Sequence, residues 1–275
     1  MSRTRTLTAL LGALALALSG AATAQGNGHG NGHGHGYPGR ADCASEDPAL
    51  LFCEDFDALP PGEAAGPGWG TDTREGRLTV ERRRGHGMVL RAHTEGNGHA
   101  FLEVEDFAAP GNSFHGRVML RVSAFPTAPD WAHFTLVEAA GAVGDGTLVR
   151  PLGGQYVPEV GDGVALWGVG SDGGPTGDWT DWRASAPAVG GEWTCVEWEQ
   201  DASDNRVSVW LDGVAQPDLT VTTTRHGGNQ VDFLFPEFDT VRVGWQLYQA
   251  GPVPDAYDVL LDDVALSTER LGCDL

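Results

Sequence analysis

The sequence predicts an all-β protein, a sandwich or jelly roll built from two antiparallel sheets. Three observations carry this expectation. Short runs of strand character recur between clusters of Gly, Pro, Asp and Asn, and helical periodicity is weak throughout. Two runs alternate cleanly: Val207, Val209 and Leu211 against Ser208 and Trp210, and Val241, Val243, Trp245 and Leu247 against Arg242, Gln246 and Tyr248. The first of these ends in Asp212-Gly213, a dipeptide suited to a tight hairpin turn.

The chain opens with Arg3 and Arg5, an apolar stretch Leu7–Leu18, and the small-residue pattern Ala22-Thr23-Ala24. That reads as a secretory signal peptide over 1–24, too short to span a membrane comfortably. Residues 25–41, rich in Gly and His, read as a flexible linker. Its His29, His33 and His35 suit copper, nickel or zinc chelation, although a linker that merely contains histidine explains them as well. From 42 to 275 there is neither a second linker nor a repeat, so one domain is expected.

All 17 basic residues are arginine, set against 38 acidic ones, for a net charge of −21. This balance disfavours nucleic acid and anionic membranes as partners, and the absence of lysine removes Schiff-base chemistry. A monomer is expected. Four cysteines in an exported chain suggest two disulfides. Of three pairings, Cys43–Cys53 with Cys195–Cys273 is preferred: one closes a short N-terminal loop, the other ties the C-terminus to a strand. Zinc is the lesser reading, because no CxxC pair is present.

The strand-like runs are Arg77–Arg82, Met88–Ala92, Ala100–Val104, Phe114–Val122, Trp131–Glu138, Val164–Gly168, Trp193–Gln200, Arg206–Leu211, Val241–Gln249 and Val259–Leu266. In Phe114–Val122, alternation puts Val118, Leu120 and Val122 on one face and His115, Arg117, Met119 and Arg121 on the other. In Trp131–Glu138 it sets Phe134 and Leu136 against His133 and Thr135. If the apolar sets bury together, two histidines and two arginines are left on an open surface, joined by Arg242, Gln246 and Tyr248 if those strands share a sheet. Residues 141–191 are the least regular part of the chain. Their Gln155, Tyr156, Trp167, Trp179 and Trp182 are expected either to line a sugar site or to pin loops to the sandwich.

Taken together, FCEDFD, FHGRVMLR, WAHFTLVEAAG, WTCVEWEQDASDNRVSVWLDG, VRVGWQLYQ and VLLDDVAL resemble the secreted fungal cellulose-induced protein family and its bacterial relatives. The resemblance covers nearly all of 42–275. It implies a concanavalin A-like β-jelly roll related to glucuronan lyase and, more distantly, to alginate lyases, with a carbohydrate-facing cleft. The family's cellulose-binding module has no counterpart here. In related jelly rolls an acidic residue of the first strand and one of the last share a structural calcium ion. Glu54 and Asp262 occupy the matching positions, so Ca2+ is an expected cofactor.

Three functions compete. A polysaccharide lyase must neutralise a uronate carboxylate, remove the C5 proton and protonate the leaving oxygen. Arg117 and Gln155 suit the first task, His133 or His115 the second, and Tyr248 the third. Gln246, Arg242, Tyr156 and Trp167 would hold substrate. GWQLYQ loosely resembles the AGxYxQ element of alginate lyases, without the lysine that precedes it there. A non-catalytic polysaccharide-binding protein needs only the aromatics, amides and a groove. A glycoside hydrolase would use paired carboxylates, but Glu197, Glu199 and Asp201 run E-x-E-x-D, the wrong order, and share their face with Cys195.

Overall fold

The computed structural model describes Cys43 and residues 47–127, 131–141, 147–182, 185–249 and 256–273. The signal-peptide and linker assignments, with His29, His33 and His35, lie outside the described residues. Among those described, fourteen strands form: β1 Leu50–Glu54, β2 Gly70–Arg83, β3 Gly87–Val104, β4 Phe114–Val122, β5 Ala132–Gly141, β6 Thr147–Tyr156, β7 Ala165–Gly173, β8 Trp179–Asp181, β9 Pro187–Ala188, β10 Thr194–Asp201, β11 Arg206–Leu211, β12 Val214–Ala215, β13 Phe238–Gln249 and β14 Ala256–Ser267. All the strand pairs are antiparallel.

One hydrogen-bonded path, β12-β11-β10-β4-β14-β3-β13-β5-β6-β7-β8, curls back on itself to make a jelly roll. The bend lies in the β2–β3 hairpin. The first half of β3 pairs with β14 through Leu90–Glu95, and the second half pairs with β13 through His99–Val104. Between them the β2–β3 register slips around Glu75, whose φ is 51°, and Gly96 has φ 59°. An extra residue bends a strand and strengthens its twist, which lets one strand serve both halves. At Asp212-Gly213 φ is 49° and 77°, the pair of positive values that a type I′ hairpin turn requires.

The alternating apolar faces meet in one core. Val118, Leu120, Val196 and Trp198 come from the β4–β10 half, and Phe134, Val241, Val243 and Trp245 from the β5–β13 half. Trp245 packs 5.2 Å from Tyr257 across the interior, with Phe134 stacked on it at 5.6 Å. Trp198 is wholly buried, and its indole covers Gly116 so closely that a side chain there would overlap the ring. Both preferred disulfides are present, Cys43–Cys53 and Cys195–Cys273.

Two expectations are corrected. Among its described residues the glycine-rich stretch 141–191 is more regular than expected: besides the expected Val164–Gly168 run, which overlaps β7, it contributes β6, β8 and β9, all in the β5 half of the curl. Its glycines allow close strand approach, since a side chain at Gly153 or Gly168 would press on the neighbouring strand's backbone. The second correction is that β4 and β5 are not neighbours. β4 pairs with β10 and β14, β5 with β13 and β6, so His115 and Arg117 lie on the other half of the curled sheet from His133.

Candidate functional site

On the outward face of β13, β5 and β6 three of the expected residues form a row. Tyr248 lies opposite His133, and His133 opposite Gln155. Strands lie about 4.8 Å apart, so the row spans roughly 10 Å. The buried neighbours confirm the direction of these side chains: Phe134, Leu247 and Tyr156, each next in sequence, all point into the core. The next row along brings Gln246 opposite Thr135. Gln155 is buried at the floor, His133 is half-buried, and Tyr248 stands 59% exposed at the rim.

His133 has the properties of a base. Its Nδ1 is buried without a hydrogen-bond partner, and its ring lies 6.0 Å from that of Tyr248. Burial lowers its pKa, the Arg150 cation lowers it further, and Asp178 works in the opposite sense. The imidazole is therefore neutral at neutral pH, with a lone pair available. Arg150 is itself held rigidly. Its Nη2 donates to Ser171 O at 2.6 Å, Asp178 Oδ1 at 2.6 Å and Trp179 O at 2.8 Å, and its side chain lies against Gly170.

Beyond Gln246 the same face becomes charged. Arg242 Nε sits 2.5 Å from Glu103 Oε2 and 3.2 Å from Asp72 Oδ2, and its Nη1 is 3.6 Å from Glu138. Asp72 also meets His99 at 3.0 Å. Three carboxylates thus surround Arg242, so this guanidinium, expected to hold substrate, is committed to protein partners. Strict alternation hides Glu138, which lies five residues after His133. An irregularity at Leu136 shifts the phase, so that Thr135 faces Gln246 while Glu138 faces Arg242 on the same surface. Arg150 was also missed, in a strand the glycine-rich composition concealed.

The other expected site residues lie elsewhere. His115 is on the outer face of β4, 3.7 Å from Glu199, and Arg117 is buried beside Glu197, donating to Gly272 O at 3.3 Å. Tyr156 and Trp167 belong to the core, Trp167 against Phe125 and Phe134. Their apolar neighbours outcompete any role in a cleft. Trp179 is buried against Phe233 and pins a loop. Glu197, Glu199 and Asp201 lie on the β10 face that carries Cys195, where Arg270 and Gly272 N take up Glu197 and Arg206 bridges the other two.

Glu54 and Asp262 are both buried. Glu54 Oε1 accepts from Phe56 N at 2.7 Å and Oε2 from Trp69 Nε1 at 2.8 Å, while Asp262 Oδ1 accepts from Asp263 N. Calcium takes six to eight oxygens. Among the described residues, no group of three or more His, Cys, Asp or Glu is placed to hold a metal ion. No helix among them is long and apolar enough to cross a membrane.

Fold and site together define a class: a β-jelly roll with a polar, histidine-centred row on one open sheet face. Neither a protein-family model nor a curated protein matches the chain. Solved structures do. The fold is that of the cellulose induced protein, Cip1, as the sequence resemblance implied, with a TM-score of 0.60 at 18% identity over 81% of this chain and 99% of that one. A structure titled for endo-acting O-glycanases of the human gut microbiota that initiate mucin breakdown is similar at TM-score 0.52 and 11% identity, covering 81% of this chain and 100% of that one.

Proposed function

We propose that this protein is an exported polysaccharide-binding jelly roll that cleaves uronic-acid polymers by β-elimination. The observation that carries the reading is the Tyr248–His133–Gln155 row, with His133 neutral and its Nδ1 unpartnered. The glycan-degrading title of the O-glycanase structure and the name of Cip1 support a carbohydrate ligand. Two disulfides support export to an oxidising compartment.

In this mechanism the Gln155 amide donates to the substrate carboxylate and stabilises the charge that builds there as C5 loses its proton. His133 accepts that proton. The C5–H electron pair forms the C4=C5 double bond, the C4–O4 bond breaks, and the Tyr248 hydroxyl protonates O4. Proton return from His133 to Tyr248 through solvent restores the enzyme. Arg117 and His115 take no part, because they lie on the other half of the curled sheet.

The test is ultraviolet absorbance of the conjugated product after incubation with glucuronan or alginate. Absorbance with native protein and none with His133→Ala supports elimination. Binding without absorbance selects the second reading, a non-catalytic carbohydrate-binding protein, which the exposed Tyr248 and the uncommitted amides of Gln155 and Gln246 favour. Calcium shared by Glu54 and Asp262 is a separate proposal, supported by their burial and by the resemblance, and no step passes through it.

A further inference from the structure

Among the described residues two aromatic side chains are strongly exposed, Trp131 at 55% and Tyr248 at 59%. They stand at the same end of adjacent strands. Ala132 pairs with Gln249 and His133 with Tyr248, so Trp131 lies one residue before that end of β5. Exposure alternates along this stretch: Trp131 is open, Ala132 buried, His133 half-buried and Phe134 buried. Alternation therefore puts Trp131 on the His133 face, diagonal to Tyr248, a spacing of about 7–8 Å between backbones. A large indole held open to water beside an unpartnered histidine is poorly explained by packing, since burying it would be favourable.

We infer that Trp131 forms a sugar subsite, stacking the C–H face of the pyranose ring adjacent to the one over His133. This rests on the elimination reading for the identity of the ring but not for its binding. The charge pattern sets the direction. Asp72, Glu103 and Glu138 crowd the far end of the face around Arg242 and repel a polyanion. Among the described residues the Trp131–Tyr248 end offers aromatic rings in place of such a carboxylate cluster, so a uronate chain leaves the reacting row on that side.

The test uses the full chain in a His133→Ala background, which does not consume substrate. Glucuronan hexasaccharide, alginate hexasaccharide and cellohexaose are titrated by calorimetry. Trp131→Ala should weaken the tightest of the three by about tenfold, and Trp131→Phe, which keeps a stacking face, by no more than about twofold. Equal affinity in the Ala and parent proteins overturns the subsite, as does failure of all three sugars to bind the parent. Residual turnover by His133→Ala would overturn the elimination mechanism and leave the Trp131 comparison intact.

Discussion

Glu138 lies 3.6 Å from Arg242 across β5 and β13, yet its carboxyl is pushed up to about 7. An ion pair alone would hold it down. Burial is the larger effect, and Arg242 is shared with Glu103 and Asp72, both of which approach it more closely. Low dielectric penalises a third carboxylate that one guanidinium cannot neutralise.

A stability prediction follows from the sign of that shift. The folded value lies above the ordinary 4.5, so the native state holds this proton more tightly than the unfolded chain. As pH rises from about 4.5 to 7 the contribution to stability falls, and above that window the buried charge costs up to ~3 kcal/mol. Glu138→Gln should therefore gain on the parent protein as pH rises. Urea melts at pH 5 and pH 8 check this. A gain equal at both values would refute it.

Elimination requires neutral His133, whose pKa burial and Arg150 hold below the usual 6.5. The acid limb of kcat/KM should thus lie below pH 6.5. Arg150→Gln removes the lowering charge and frees Asp178, so the limb should move to higher pH. A pH–rate profile of the two proteins reads the shift directly.

Cys195–Cys273 closes a separation of 78 residues. By the chain-entropy account, the paired change to serine should cost about 4 kcal/mol of stability. The loss should appear in chemical melts of the oxidised protein and vanish in reductant.

Gly116 lies beneath the buried Trp198 indole. Gly116→Ala has to displace that ring or the β4 backbone, at about 1–3 kcal/mol. Thermal melting should show a drop of several degrees.

Calcium shared by Glu54 and Asp262 would raise the melting temperature on addition of the ion, and a chelator would reverse it. Glu54→Gln should abolish the calcium response. An unchanged melt with and without chelator would retire the proposal.

Much of the fold was legible in the chain. The alternation of Val241, Val243, Trp245 and Leu247 identified a strand and its buried face, and Asp212-Gly213 identified a turn, because both signals are local. Within 141–191 only the Val164–Gly168 run, which overlaps β7, was legible; β6, β8 and β9 were not, because the glycines that serve close strand approach look like loop from composition alone. Tyr156 and Trp167 read as cleft residues for the same reason. Chemistry suggested aromatics exposed to sugar, whereas Phe125 and Phe134 offered Trp167 a drier partner and Tyr156 is buried in the core.

The sequence by itself determined which side of each strand His115, Arg117, His133 and Tyr248 occupy, since that depends only on a two-residue repeat. Only the tertiary structure decided which strands meet. β13 joins β5 and β6, while β4 pairs with β10 and β14, dividing the seven polar candidates between the two halves of the curled sheet. Neighbours in a curled sheet are chosen by the burial of whole faces against each other and by bulges such as that at Leu136. These are long-range balances that no local pattern records.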